Sequence, residues 1–211
     1  MRTIIKGHEP ASLTQHRLKP HADYDNYADK DGLRQALAAE QRGLCCYCLS
    51  RVRPVRDAMK IEHWHSQNSY PSEQLDYDNL LGACLGGDGQ SPIRQTCDTR
   101  KGDRELSRNP ANGAHHVEEL IRFEASGRIV SDDPVFDAEM NEVLNLNTPF
   151  LQNNRKATLD AFTKVLVKRS ELSRITLERW LREWSGEAHT GELEPFCQVI
   201  VYWLRKRLAR A

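Results

Sequence analysis

Four of the six cysteines in the chain are candidate ligands of one metal ion. Cys45 and Cys48 have two residues between them, and at this spacing a tight turn can direct two thiolates at one tetrahedral zinc ion. Cys84 and Cys97 are the available second pair, because the glycine-rich segment between them can loop out and let them meet. We therefore expect a structural zinc ion with four thiolate ligands. The alternative is that these cysteines are unligated thiols of the core.

A zinc ion with four thiolate ligands is closed to substrate, so catalysis needs a second centre. The two remaining cysteines do not supply it. Cys46 is poorly placed to share the zinc ion, and Cys197 lies on an apolar helical face. We expect both thiols to pack in the core.

The sequence IEHWH, between the two cysteine pairs, offers a second centre. Glu62 is an oxygen ligand that suits a hard divalent cation such as Mg²⁺, and His63 can act as a general base near neutral pH. Because successive strand residues point to opposite faces, both can serve one site only where the strand ends or bends. Asp98 and Lys101 would share one face of a short helix, where Asp98 can hold the metal ion and Lys101 can meet a phosphate.

Neighbouring aromatic side chains are expected to have structural roles. His65, two residues beyond the predicted base, could touch DNA or the metal ion, but we expect it to be simply half-buried. We expect Trp64 to belong to the core and not to form a platform for base stacking. The tryptophans of the C-terminal region fall on apolar helical faces and are expected to pack there.

Hydrophobic periodicity predicts the elements that position these residues. DKDGLRQALAAEQRG predicts a helix that ends at Gly43, MKIEHWH a strand, and VEELIRFEASGRIV a hairpin around Ser126 and Gly127. Three further stretches have helical spacing: DAEMNEVLNLN, NNRKATLDAFTKVLVKRSELSRITLERWLREW and PFCQVIVYWLRKRLARA. We divide the chain into an extended N-terminal arm at residues 1–30, a candidate surface for docking a partner, a central region at 31–112, and a hairpin with a helical region at 113–211.

Composition limits the class of protein. The chain has 211 residues, of which 39% are hydrophobic, enough for one compact unit with a core. No 18-residue apolar run occurs, and no apolar stretch follows the first basic residues, so we expect a cytoplasmic protein without a membrane segment. Thirty basic residues balance thirty acidic ones, so no net field draws in a polyanion and any grip on nucleic acid is local or comes from a partner.

The order of the motifs resembles the HNH endonuclease family. More closely, EQRGLCCYC, KIEHW, LDYDNLLGACLGG and CDTRKGD followed by NP, with the opening IIKGHEPASL, are similar to the HNH subunits (PtuB) of Septu anti-phage systems, which also occur in retron defence loci. The resemblance spans roughly residues 1 to 112 and extends weakly to the helical tail. It implies an α+β fold, in which a zinc-braced, treble-clef-like ββα-metal core precedes a mainly helical C-terminal region.

The resemblance also implies a role for each site residue. His63 would be the general base that takes a proton from the attacking water. Glu62 and Asp98 would hold the catalytic ion, Mg²⁺ or Mn²⁺, against the scissile phosphate. Asn79 would brace the loop and fix His63 by hydrogen bonding, and Lys101 would support the phosphate.

The partners implied by the resemblance are those of a defence nuclease. The substrate would be DNA or RNA, including tRNA, and the chain would work in a hetero-oligomer with a PtuA-like ATPase subunit, in some systems with a retron reverse transcriptase and its RNA–DNA. The alternative is a non-catalytic zinc-finger module that binds nucleic acid or acts as an adaptor. Such a module needs none of Glu62, His63, Asn79 and Asp98, and their joint presence favours the enzyme.

Overall fold

The computed structural model of the chain describes residues 1–167 and 173–210, and the fold is α+β, as expected. Two antiparallel hairpins, β1–β2 and β3–β4, are embedded among helices. The strands are β1 Lys60–His63, β2 Leu80–Ala83, β3 Ile121–Phe123 and β4 Ile129–Ser131. The helices are α1 Ala11–Arg17, α2 Lys30–Glu40, α3 Cys97–Lys101, α4 Val117–Leu120, α5 Pro134–Ala138, α6 Pro149–Val167, α7 Arg174–Ser185 and α8 Cys197–Leu208.

Helix α2 leads the chain into the first cysteine pair. The side chain of Asp29 caps its first turn by accepting a hydrogen bond from the Gly32 amide, and Leu33 and Leu37 face the core one turn apart. The predicted helix is confirmed, although it ends at Glu40, before Gly43. Just beyond it, the side chain of Gln41 donates to the Gly82 carbonyl and accepts from the Gly82 amide, which fixes the start of the cysteine segment against β2.

The first hairpin positions the residues of the predicted second centre. Strand β1 pairs with β2 so that Glu62 lies opposite Leu81 and His63 lies opposite Leu80. β1 ends at His63, which is the condition under which two successive strand residues can serve one site. The loop from 64 to 79 contains two short 3₁₀ turns, and α3 follows β2 after a second loop.

Residues 1–30 are part of the fold, and the expected extended arm is not what the structure shows. This segment contains α1, and its side chains Met1, Ile4 and Leu13 are buried in the main core. The Ile4 amide also donates to the carbonyl of Pro110. The sequence hid this packing because the apolar residues of the segment follow no regular period.

The C-terminal region contains the predicted hairpin and helices. β3 and β4 pair around the turn at Gly127, although the first residues of the predicted strand form the short helix α4. Helices α6, α7 and α8 pack around Phe162, and the rings of Trp180, Trp184 and Trp203 meet it edge-on, which confirms their packing role. The predicted helical stretch also includes residues 168–172, which lie outside the described residues. No described helix is long and apolar enough to cross a membrane.

Candidate metal and catalytic site

The four predicted zinc ligands come together. The sulfur atoms of Cys45, Cys48, Cys84 and Cys97 all lie within 4.8 Å of one another. The Cys45–Cys97 and Cys48–Cys84 distances between Sγ atoms are 3.9 and 3.7 Å. A tetrahedral zinc ion with zinc–sulfur bonds of about 2.3 Å requires sulfur atoms about 3.8 Å apart, whereas a disulfide requires about 2.05 Å. The cluster therefore fits a metal ion such as zinc.

Two loops shape the cluster. In the first, Cys45 accepts from the Leu49 amide and donates to the Ser50 carbonyl, so the chain reverses directly after the first cysteine pair. In the second, Gly86 has a φ of 55° and accepts a hydrogen bond from the Thr96 amide, which brings the far end of the loop back beside β2. A Cβ atom on Gly86 would stand 2.2 Å from the Thr96 carbonyl oxygen, so only glycine allows this approach.

The other two cysteines lie in the core, as expected. Both Cys46 and Cys197 are buried, and burial raises the pKa of each thiol above its usual range. Their thiols therefore stay protonated and act as small apolar groups.

Glu62 and Asp98, the predicted ligands of the catalytic ion, are neighbours. Glu62 is only 2% exposed. Its Oε1 atom accepts a 2.7 Å hydrogen bond from the Tyr47 hydroxyl and lies 2.9 Å from Nζ of Lys101. Burial, followed by the adjacent Asp98 carboxyl group, raises the pKa of Glu62 well above its usual range, although the charge of Lys101 opposes the shift.

Lys101 points into the interior of the protein, whereas a lysine that binds a substrate phosphate must reach the surface. Its side chain is buried, and Nζ donates to the carbonyl of His63 at 3.0 Å in addition to its ion pair with Glu62. The short helix α3 ends at Lys101, and the side chain reaches back to β1 instead of towards the surface. In this position Lys101 supports the carboxylate and the strand, not a substrate phosphate.

His63 has the tautomer that a general base needs. Its Nε2 atom is 3.0 Å from the Gln74 carbonyl, which can only accept, so Nε2 carries the hydrogen and Nδ1 has the lone pair. Nδ1 makes no hydrogen bond within the described part of the chain. Burial lowers the pKa of His63, which is 6% exposed, so the ring is neutral at neutral pH. The ring of Tyr24 packs edge-on against it at 4.6 Å between centroids.

Asn79 braces the loop, as expected, but through different partners. Its amide nitrogen donates to the carbonyls of His65 and Glu73, at 3.0 and 3.2 Å, and its oxygen accepts from the His65 amide at 2.7 Å. Both N–H groups are used in these bonds, so none is left for the ring of His63. The Gln74 carbonyl orients His63 instead.

Glu62 and Asp98 carry the type of donor atom that a catalytic divalent cation would use. Carboxylate oxygens suit Mg²⁺ or Mn²⁺, and Mg²⁺ is commonly bound by one or two carboxylates with waters and substrate phosphate completing its shell. Among the described residues, the cysteine cluster is the only place where three or more His, Cys, Asp or Glu ligand atoms converge. The carboxylate pair would therefore supply two protein ligands and leave the remaining positions open.

Sequence reasoning missed Tyr47 and Gln74. Tyr47 lies inside the first cysteine pair, where its neighbours suggest packing, yet its hydroxyl binds Glu62. Gln74 acts through its backbone carbonyl, which no residue pattern can reveal. Searches against protein-family models and curated proteins found no significant match to the chain.

Proposed function

We propose that the chain is a metal-dependent HNH-type endonuclease that hydrolyses phosphodiester bonds in nucleic acid. One observation carries the proposal: the hairpin β1–β2 and α3 bring the free Nδ1 atom of His63 and the Glu62–Asp98 carboxyl pair to the same part of the fold as the four-cysteine cluster. This order of a hairpin and a helix supports the proposal of a ββα-metal core. The lone pair on Nδ1 of His63 is left available for a water molecule, which is what a general base needs.

The residues divide the work of hydrolysis. Nδ1 of His63 accepts a proton from the water that attacks phosphorus, while the Gln74 carbonyl keeps the ring in place. Tyr47 and Lys101 hold the Glu62 carboxylate where it can meet a cation. A divalent cation held by Glu62 and Asp98 would supply charge stabilisation to the phosphate and the leaving oxygen.

We further propose that the nuclease is the effector subunit of a cytoplasmic anti-phage complex of the Septu or retron type. The zero net charge supports this assembly, because a PtuA-like ATPase subunit could then provide the long-range attraction for DNA or RNA. In a retron system, the reverse transcriptase and its RNA–DNA would be further partners.

The test is His63→Ala, assayed on DNA and on tRNA in Mg²⁺ and in Mn²⁺, with and without the ATPase. We expect cleavage to fall by about 10²- to 10⁴-fold, the usual contribution of a general base, with zinc content unchanged. His8→Ala, at an exposed position, is the matched control and should cut normally. Full activity of His63→Ala would refute the mechanism.

The second candidate is a non-catalytic zinc-finger module that binds nucleic acid or acts as an adaptor. The ion pair between Glu62 and Lys101 favours it, because this carboxylate already has a cationic partner. The same assays decide between the two: a wild-type protein that binds nucleic acid without cutting it, even with the ATPase present, would be a module and not an enzyme.

A further inference from the structure

A cavity of about 290 Å³ lies between the end of strand β3, helix α6 and helix α8, and we call it the α8 groove. Aromatic rings and basic groups line it together: Phe123, Tyr202, Trp203, Lys206, Arg207 and Arg210. Glu124 is the only acidic residue among the described residues that line it. The α8 groove is therefore positively charged, although the thirty basic residues of the whole chain are balanced by thirty acidic ones.

The basic groups of the α8 groove are free to bind a ligand. Arg205, on the same helix, does not line the groove and pairs with Glu118 at 3.3 Å. Lys206, Arg207 and Arg210 are exposed, and they make no ion pair within the part of the chain that the structure describes. The helix dipole favours cations at the end of α8, but it does not account for a cavity in which they surround aromatic rings.

Tyr202 offers a ring on which a ligand can stack. The side chain is half-buried, and its hydroxyl makes no hydrogen bond with the described residues. The ring of Phe123 lies 5.8 Å away between centroids at an interplanar angle of 65°, so the two rings do not stack face to face. Nζ of Lys206 lies 5.9 Å from the centroid of the Tyr202 ring. Trp203 differs, because its ring packs against Phe162 in the core.

We propose that the α8 groove binds a single-stranded segment of nucleic acid, with phosphates against Lys206, Arg207 and Arg210 and a base on the ring of Tyr202. Sites that bind single strands combine a positively charged groove with aromatic side chains on which bases stack. The bases of a duplex are stacked on each other, so an unpaired strand is needed to offer one to Tyr202. The cavity is also near the lower limit of small-ligand pockets, about 300 Å³, which suits one nucleotide and not a duplex.

The inference extends the proposed function, because it gives the chain a contact with nucleic acid through residues other than the catalytic ones. It rests on the proposed function only in naming nucleic acid as the polymer that the chain binds. None of Glu62, His63 and Asp98 lines the α8 groove. Binding there can therefore be measured separately from cleavage.

The first test measures the binding of short labelled single strands of DNA and of RNA by fluorescence anisotropy at several salt concentrations. No Mg²⁺ or Mn²⁺ is added, so that the strand stays intact. A triple variant with Lys206→Gln, Arg207→Gln and Arg210→Gln removes the cations of the α8 groove. We expect its Kd to rise about 10-fold or more and the slope of log Kd against log salt to fall by about 2, because each phosphate contact on a single strand contributes about 0.7.

Two further comparisons separate local charge and stacking from general effects. A control variant with Lys19→Gln, Arg56→Gln and Arg179→Gln removes as many exposed charges outside the α8 groove, and it should bind close to the wild type. Tyr202→Ala should raise the Kd for single strands about 5-fold or more and change the Kd for a duplex little. Tyr202→Phe keeps the ring and should bind like the wild type.

Several outcomes would overturn the inference. Equal losses in the groove variant and in its control would show that binding depends on surface charge in general, and a wild-type chain that binds no single strand at low salt would exclude the site. If Tyr202→Ala binds normally and polyglutamate displaces the strand, the α8 groove recognises charge alone, as in an acidic protein segment. A wild-type chain that binds single strands in the groove but cuts none in Mg²⁺ or Mn²⁺ would refute the nuclease proposal and leave this inference standing. Thermal unfolding of each variant shows whether the fold is intact.

Discussion

At the scale of single residues, the environment of Glu62 shows what opposes and what favours ionisation of a buried carboxyl group. A buried carboxylate is costly, and burial with the neighbouring Asp98 raises the pKa of Glu62, whereas Lys101 and the Tyr47 hydroxyl group offset part of that cost at Oε1. Removal of Lys101 would leave a buried carboxyl group without its partner. The ammonium group is therefore a structural part of the candidate site, although it does not face the substrate.

The cysteine cluster gives the prediction at this scale. Cys48→Ser should no longer bind the one zinc ion expected per chain and should unfold at a much lower temperature. The reason is that zinc ligation and folding are coupled, and structural zinc contributes about 10 kcal/mol or more in small domains. Cys46→Ala is the matched control, since this neighbouring thiol is buried but is not a ligand. Metal analysis and thermal unfolding measure both effects. A Cys48→Ser protein that melts with the wild type would exclude structural zinc.

At the scale of elements, the turn of the second hairpin is locked onto helix α6. Gly127 has a φ of 83°, and its carbonyl accepts a hydrogen bond from Nε of the buried Arg155. A Cβ atom at this position would stand 2.1 Å from the carbonyl oxygen of Gln152 on α6. The turn therefore requires glycine for its backbone conformation and for its packing.

Gly127→Ala should consequently lower the free energy of unfolding by more than the strain of a left-handed backbone alone would. Alanine at positive φ costs about 1 to 2 kcal/mol, and the clash with α6 should add about 1 to 3 kcal/mol. Gly89→Ala isolates the first effect, because Gly89 has a φ of 75° and nothing lies within 4 Å of its Cβ position. Urea unfolding of the two variants gives the difference. Equal losses would show that α6 does not constrain the turn.

Most of the helices and strands, and the cysteine cluster, could be predicted from the sequence. The positions of the cysteines predicted the cluster, although its two pairs lie far apart along the chain. The apolar periods predicted α2, the second hairpin and the C-terminal helices, because each of these signals lies within one short stretch. The structure differed where partners are distant along the chain. Lys101 turned inward to Glu62, Asn79 bound His65 and Glu73, and a backbone carbonyl oriented His63. Such choices depend on tertiary neighbours that periodicity does not encode.

At the scale of the whole molecule, one core joins all three regions of the chain. Met1, Ile4 and Leu13 pack in the same cluster as the metal-binding cysteines and Phe196. Lys6 extends this connection, because Nζ pairs with Glu40 at 2.5 Å and donates to the Leu80 carbonyl on β2. The N-terminal segment thus supports the strand that pairs with β1, and a deletion there would disturb the candidate site as well as any docking surface.

Two adjacent isoleucines separate folding from docking in this segment. Ile4 is buried in the core, whereas Ile5 is 84% exposed. Ile4→Ala should therefore cost about 2 to 5 kcal/mol, while Ile5→Ala should stay within about 0.5 kcal/mol of the wild type. Urea unfolding measures the free energy of unfolding of both variants. If both losses are equally small, the segment at residues 1–30 does not pack in the core, and the prediction of an extended arm is correct. Because Ile5→Ala keeps the fold, loss of ATPase co-purification in that variant alone would place the docking surface at this segment, whereas loss after a deletion would not.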